Sequence, residues 1–330
     1  MLEIDGSQGG GQLLRSSLAL SALTGKPFII TNIRSKRDSP GLKAQHSKCV
    51  EAVQQLCDAT VEGNFVGSTE LKFVPGKLNP KSLEIDIGTA GSITLLLQSL
   101  LLPCMFGGKR IKLTVKGGTD VQWSMPIDYF REVVMHYFRP YCDLDLRILN
   151  RGFYPKGQGC IELKFKQNEF REPLNLVERK GDIIVNGIAC SSKDLMINQV
   201  SERMGNGAKQ LLSKYLPRMR HEYTVTESTG CVITVWVRFG ERFVLGADDL
   251  GEIRKPAELV GKIAADRLLK EIDSGACVDH HCADNLIPLM GIVGGKIHVS
   301  EITEHTKTNI AVTEMFTGKK FVIDGNVIQV

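Results

Sequence analysis

Two kinds of apolar pattern alternate along this chain. Between Gln12 and about Ala22, and again between Ile93 and about Met105, almost every position is apolar or small. That pattern predicts helices buried on all sides. From Leu42 to about Cys57 the apolar positions recur every three or four residues, which predicts a helix with one wet face. Short apolar, β-branched runs stand between these segments, at Pro27 to Ile33, Ile111 to Val115 and Ile297 to Glu301. Each predicts a strand.

The punctuation before those strands repeats. Gly25-Lys26, Gly107-Gly-Lys109 and Gly294-Gly-Lys296 each follow an apolar helix, the third of which is predicted from Asp284 to about Val293. A polar loop comes after every strand, at 34–40, 116–125 and 301–309. A second helix comes after every loop: Leu42 to about Cys57, one beginning near Pro126, and one from about Asn309 to Met315. Proline suits the first turn of a helix. Helix, strand and helix thus recur three times with flanking strands, and right-handed crossovers join such strands by default. Arranged about a pseudo-threefold, the three units would turn their loops toward one cleft. The simpler reading is that the glycines only terminate helices.

A segment of different texture, 181–273, interrupts the series before the third copy. It offers a strand (Ile183 to Cys190), a long helix (Asp194 to Leu216, stopped by Pro217), β-rich runs at 222–228, 231–239 and 242–247, and a helix from Pro256 to Ile272. This predicts a smaller inserted α+β domain, with 1–180 and 274–330 forming a discontinuous larger one. The run Cys231-Val-Ile-Thr-Val-Trp-Val-Arg-Phe reads as a strand covered largely on both faces.

Composition changes this picture little. With 330 residues and 42% hydrophobic positions the chain has ample core. No apolar run reaches the ~18 residues of a membrane span, and Met1-Leu-Glu-Ile-Asp5 lacks a secretory pattern. A cytosolic or nuclear address is the expectation. The nine cysteines form no C-x-x-C pair and read as reduced. A net charge of +4 rules out bulk attraction to nucleic acid, so any anion site must be local. The densest basic cluster is Arg34-Ser-Lys-Arg37, with Lys43 and Lys48 close behind.

Candidate chemistry concentrates in Glu301-Ile-Thr-Glu-His305-Thr-Lys-Thr-Asn309, where one histidine sits among hydroxyls, a lysine and an amide. Cys277-Val-Asp-His280-His281-Cys282 holds potential zinc ligands, yet no second ligand pair faces it in sequence, and zinc is not expected. The glycines at 9–11 resemble a phosphate cradle but lack the Gly-Lys-Ser/Thr ending of a P-loop.

Taken in order, the motifs resemble the RNA 3'-terminal phosphate cyclase family nearly end to end. They are Asp5-Gly-Ser-Gln with Gly9-Gly-Gly-Gln-Leu-Leu-Arg15, Ile33-Arg34-x-x-Arg37-x-x-Pro40-Gly-Leu42-x-x-Gln45-His46, Gly88-x-Ala-Gly91-Ser92 with Leu97-Gln98, Gly117-Gly-Thr-Asp120, Gly152-Phe-Tyr-Pro-x-Gly157, Ala283-Asp284-x-Leu-x-x-Pro288 and His305-x-x-Thr-Asn309. The resemblance implies an α+β fold of three βαβαββ repeats with a smaller inserted domain. It also implies ATP-dependent conversion of an RNA 3'-phosphate end to a 2',3'-cyclic phosphodiester, with release of AMP and pyrophosphate. His305 is then the nucleophile that carries AMP, since neutral imidazole attacks near pH 7 and its phosphoramidate passes the group on. Arg15, Arg34, Arg37, Gln45 and His46 would surround phosphates. Gln98, Pro126, His281 and Asp284 would hold the nucleotide, His281 and Pro126 flanking the adenine. Asp284 has a second reading as the N-cap of the helix it precedes.

The resemblance breaks at one place. The family pattern has Gly-Glu before the three glycines, an acidic residue associated with metal, whereas this chain runs Gln8-Gly9-Gly10-Gly11-Gln12. Mg²⁺ or Mn²⁺ is still expected alongside ATP, its ligands undetermined. Asp5 or Glu3 takes the missing residue's place, or activity is weakened, or a local deletion is present. Two other classes of function stay open at this point. One is a catalytically silent cyclase-like RNA-binding protein acting in ribosome biogenesis. The other is an enolpyruvyl transferase, which has a related repeat architecture but no use for a nucleotidylated histidine.

Overall fold

The computed structural model describes residues 1–7, 9–108, 110–170 and 172–330. Gln8 of the glycine loop and Lys109 of the second helix–strand turn lie outside the described residues. The first stretch runs β1 (Leu2–Asp5), α1 (Gly11–Thr24), β2 (Phe28–Thr31), α2 (Ala44–Cys57), β3 (Thr60–Glu62) and β4 (Leu71–Val74). The second runs β5 (Leu83–Asp86), α3 (Ile93–Phe106), β6 (Ile111–Gly117), α4 (Ile127–Tyr129), a π-turn (Phe130–Val134), α5 (Met135–Phe138), β7 (Cys142–Asn150) and β8 (Gly159–Gln167). β9 (Leu174–Leu176) precedes the different segment, which holds β10 (Ile183–Ser192), α6 (Val200–Leu211), β11 (Arg218–Thr224), β12 (Cys231–Phe239), β13 (Phe243–Leu250) and α7 (Ala257–Asp273). The chain ends with α8 (His280–Val293), β14 (Gly295–His298), α9 (Glu304–Thr317), β15 (Val322–Asp324) and β16 (Val327–Gln329).

Among the described residues, three of the four sheets share one strand plan. Their orders are β1-β2-β4-β3, β5-β6-β8-β7 and β9-β14-β16-β15. In each, the first two strands are parallel and the next two join antiparallel. The parallel pairs follow from the crossovers, since a helix between two strands returns the chain to the same end of the sheet. These sheets bury alternate residues, as in Phe28–Thr31 and Leu83–Asp86, and leave the other face wet. The apolar helices lie inside. α1 packs against α2, α3 and α9, and α3 is buried over most of its length. The glycines of the helix–strand turns are helix C-caps, at Gly25 with φ +69° and at Gly294 with φ +81°.

The fourth sheet has the order β11-β10-β12-β13. β12 is buried on both faces, as its unbroken apolar run predicts. α6 and α7 cover it and meet closely, because a Cβ on Gly261 would come within 1.9 Å of Met204 O, and one on Gly207 within 2.2 Å of Glu258 O.

Several boundaries differ from the sequence expectations. The helix expected over 194–216 is α6 alone, flanked by 3₁₀ turns at Lys193–Asn198 and Ser213–Tyr215. Gln199 and Leu216, both at φ +49°, interrupt it. The strand expected over 222–228 is β11, which pairs with β10 through Thr224 and stops there. α8 begins at His280, not Asp284, because the Asp279 carboxylate caps it by accepting from Cys282 N–H at 2.8 Å. His305 lies in the first turn of α9 and not in a loop.

Candidate active site

Three segments converge at His305. Gly6, just after β1, donates to Thr31 O at 2.7 Å, and Arg34 N–H donates to Gly6 O at 3.3 Å, which stitches the glycine-rich turn to the loop after β2. Arg34 is held at φ +55°, a conformation that costs an ordinary residue roughly 1–2 kcal/mol. Its Nη1 donates to Gly41 O at 3.3 Å. Burial, and then repulsion from Arg37, pull its pKa below the usual value. Gly9 and Gly10, Arg34 and Arg37, and His305 and Thr308 line one open cleft of about 360 Å³.

The α9 side of this cleft is over-determined. Thr303 caps the helix by accepting from Thr306 N–H at 3.0 Å, and Thr306 Oγ1 accepts in return from Thr303 N–H at 3.3 Å. Both hydroxyls also donate to Asp284 Oδ1, at 3.1 Å from Thr303 and 2.6 Å from Thr306. One turn later Asn309 donates to Asp284 O at 2.7 Å and accepts from Ser16 Oγ at 2.7 Å. Thr306 and Asn309 are buried while His305 is exposed. The result is an imidazole in water on a backbone fixed from behind.

The α1 side is organised differently. Gly10 caps α1 without a side-chain acceptor, and the first turn carries no acidic residue. A Cβ on Gly11 would sit 2.2 Å from His46 Nε2 and 2.7 Å from Arg15 Nη1, so only glycine lets these groups reach the helix start. Arg15 is 6% exposed. Its Nε donates to Gln98 Oε1 at 2.8 Å, and among the described residues no carboxylate pairs with it. Burial lowers its pKa to about 10, so it remains a cation at neutral pH. His46 Nδ1 accepts from Lys43 N–H at 3.1 Å, which leaves the ring proton on Nε2, next to Arg15. Burial first, then the charges of Arg15, Arg34 and Lys43, lower its pKa to about 3. A buried cation and a neutral N–H donor therefore meet under Gly11 with no anion between them.

The remaining predicted residues lie further along the same framework. Gln45 accepts from Ser92 N–H at 3.1 Å, and its Nε2 is buried without a partner among the described residues. Gln98, besides holding Arg15, donates to Asn285 Oδ1 at 2.9 Å. Gln98, Asp284, Asn285 and Asn309 border a small pocket of about 30 Å³, which is room for water and not for a nucleoside. Asp284 does not cap α8, which is Asp279's part. Burial raises the Asp284 pKa, and the two threonine hydroxyls oppose that rise. His281 is exposed on the first turn of α8, its ring edge-on to Tyr129 at 6.5 Å. Pro126 is the N-cap of α4, three residues before that tyrosine.

Thr303, Thr306, Ser16 and Asn285 escaped the sequence reading. The signal that could have found the first two is the spacing Thr303-x-x-Thr306, a pair of hydroxyls at capping distance. In the Cys277–Cys282 segment both cysteines are buried and His280 Nδ1 bonds Glu271 Oε1 at 2.6 Å. Among the described residues no group of three or more His, Cys, Asp or Glu is placed to hold a metal ion, and no helix is long and apolar enough to cross a membrane.

Comparison with known proteins adds an independent line. The family model described as RNA 3'-terminal phosphate cyclase matches residues 7–323. The chain belongs to the RNA 3'-terminal phosphate cyclase family. A protein of that name from Pyrococcus abyssi is 44% identical, over 99% of this chain and 96% of its own length. One from Pyrococcus furiosus is 42% identical over 99% and 96%, and one from Methanosarcina barkeri 43% identical over 98% and 97%. The cyclase-family match starts at Ser7 beside the cleft and ends beyond α9. It therefore takes in every cleft residue described above, and the fourth sheet as well.

Proposed function

We propose that this protein uses ATP to convert an RNA 3'-phosphate end to a 2',3'-cyclic phosphodiester, with His305 as the group that carries AMP. The observation that carries this reading is one cleft that holds an exposed imidazole on a fixed helix start together with Arg34 and Arg37, with the buried Arg15 cation and the His46 N–H close behind its glycine turn. In the first step a His305 nitrogen bonds to the α-phosphorus of ATP, and the bond to pyrophosphate breaks. An oxygen of the RNA 3'-phosphate then displaces the imidazole, giving an RNA capped by AMP through a pyrophosphate linkage. Finally the neighbouring 2'-hydroxyl attacks the 3'-phosphorus, loses its proton and expels AMP. Covalent relay of this kind divides one hard displacement into easier ones.

The protein's share is charge stabilisation and positioning. Arg15, Arg34 and Arg37 offer cationic N–H forks, and His46 a neutral N–H, to phosphate oxygens. Gln45 brings an unpartnered amide nitrogen near the same wall. The nucleotide's base is placed against His281 and Pro126, which Tyr129 links, while Gln98 and Asp284 act from behind, on Arg15 and on α9. Mg²⁺ or Mn²⁺ would neutralise charge on the triphosphate, where one or two carboxylates suffice beside phosphate oxygens. Glu304, which lines the cleft, and Asp5, whose carboxylate accepts from Ser7 at its edge, are the acidic residues that would hold it. The three like-ordered sheets with their helices are read as βαβαββ repeats around a pseudo-threefold, and 181–273 as the inserted smaller domain.

The test is covalent labelling. With ATP labelled in its α-phosphate and a divalent metal, the protein should acquire AMP in an acid-labile, base-stable bond, and His305→Ala should acquire none. Equal labelling of that variant would remove His305 from the reaction.

A further inference from the structure

An exposed tryptophan stands beyond the cleft with no structural use. Trp123 is 94% exposed, at φ +67°, a conformation a bulky side chain adopts only where its surroundings impose it. The loop that presents it is rigid at its base. Ile127 N–H donates to Thr119 O at 3.1 Å and Asp120 Oδ1 at 3.3 Å, and Ser124 Oγ donates to Val121 O at 2.8 Å. The Asp120 carboxylate is buried and held by Arg151 Nη1 at 3.2 Å. The framework therefore holds an indole ready in water, and the fold gains nothing from it.

A second exposed ring stands on the loop bonded to this one. Tyr154 is 75% exposed in the loop 152–157, which joins the Trp123 loop through Thr119 N–H to Gly152 O at 2.9 Å. The same loop presents Lys156, whose side chain is mostly exposed. Behind it, a Cβ on Gly157 would lie 2.8 Å from Ala90 Cα, so the loop rests on the turn before α3. That turn ends at Ser92, whose N–H is bonded to Gln45, the neighbour of His46. A continuous path thus leads from the Arg15–His46 wall, over the 88–92 turn, to the two rings.

The geometry points to a single-stranded RNA track along this path, on which Trp123 and Tyr154 stack bases lying 5' of the terminal phosphate. Aromatic faces accept any base, and a nearby lysine meets the backbone, which is the chemistry of sequence-tolerant single-strand binding. The track rests on the cyclase reading above, because that reading places the RNA end in the cleft.

The experiment separates the two. Adenylation of the unmodified protein with ATP alone tests the cyclase reading without RNA. The track is tested by titrating a 3'-phosphorylated RNA hexamer while following tryptophan emission. The chain has two tryptophans, and Trp236 is 5% exposed, so the quenchable signal belongs to Trp123. Quenching should saturate with binding. Trp123→Ala should weaken hexamer binding roughly tenfold or more, Trp123→Phe should restore most of it, and Tyr154→Ala should weaken it by a smaller factor. Melting temperatures establish that each variant is folded. Hexamer binding with unchanged Trp123 emission and a wild-type Kd for Trp123→Ala would overturn the track. Quenching by added protein instead of RNA would do the same, and would reassign the ring to self-association.

Discussion

The two sides of the cleft solve opposite problems. On the α9 side the polar groups behind His305 find partners inside the protein, and the imidazole is left in water. On the α1 side Arg15 and His46 are buried and still lack an anion. Preorganised donors in a dry wall are worth more to a developing charge than the same groups in solution. A nucleophile, by contrast, gains from access. The difference shows a site that stores its binding potential in one wall and its reactivity in the other.

Replacing Arg15 should break this comparison most sharply after loss of His305 itself. Pyrophosphate should raise the melting temperature of the wild-type protein, because a ligand that binds only the folded state adds about 2.7 kcal/mol at a hundredfold excess over its Kd. Arg15→Met should abolish that shift and weaken ATP binding by roughly 10- to 150-fold, the equivalent of about 1.5–3 kcal/mol for a charge-assisted contact. The variant's own stability should change little, since loss of the hydrogen bond to Gln98 is offset by removing a buried cation that no carboxylate pairs among the described residues. An unchanged pyrophosphate shift would show that the α1 wall is not the anion site.

A smaller effect tests the other wall. Thr306→Val removes the hydroxyl that ties the α9 cap to Asp284 and should lower the rate of AMP transfer to His305 by about tenfold, while loss of the cap costs about 1 kcal/mol of stability. ATP affinity should hold, because Thr306 is buried behind the helix and not in the cleft. Thr306→Ser, which keeps the hydroxyl, should recover the rate. A change in ATP affinity with no change in rate would move Thr306 from positioning to binding.

A third effect is on acid stability. His46 titrates at about 3 in the folded protein against 6.5 for the free side chain. The unfolded chain therefore binds the extra proton first, and the contribution is fully present above pH 6.5 and lost as pH falls toward 3. The slope is at most about 1.4 kcal/mol per pH unit. Thermal melts between pH 4 and 8 should show wild-type stability falling more steeply with acid than that of His46→Gln. Parallel curves would mean His46 is not held neutral.

Much of the framework was legible because burial leaves a plain pattern. α1 and α3 are apolar all round, and glycine marks where each ends. The start of α9 was hidden for a physical reason. Thr303 and Thr306 are weak helix formers that cap through hydroxyls, so Glu301 to Asn309 reads as a loop until Asp284, distant in sequence, is seen to hold both. The family motifs brought His305, Arg34 and Arg37 to one cleft, but the use of Gln98 to hold Arg15 depends on helix packing that no local spacing encodes. β11 was misplaced because Arg218-Met-Arg-His-Glu-Tyr-Thr224 has little apolar alternation. Its pairing with β10 is tertiary.

The third sheet has a consequence for synthesis. β9 pairs in parallel with β14, and roughly 120 residues of chain separate the two, a distance whose closure entropy grows only slowly with length. At translation speeds of about 5–20 residues per second, β9 leaves the ribosome roughly 6–24 s before its partner. The strands and helices from β10 to α7 come out in that interval, and their folding draws the two ends of the gap together. Three residues, Leu174–Leu176, are all that wait as an open edge, a strand too short to recruit another nascent chain.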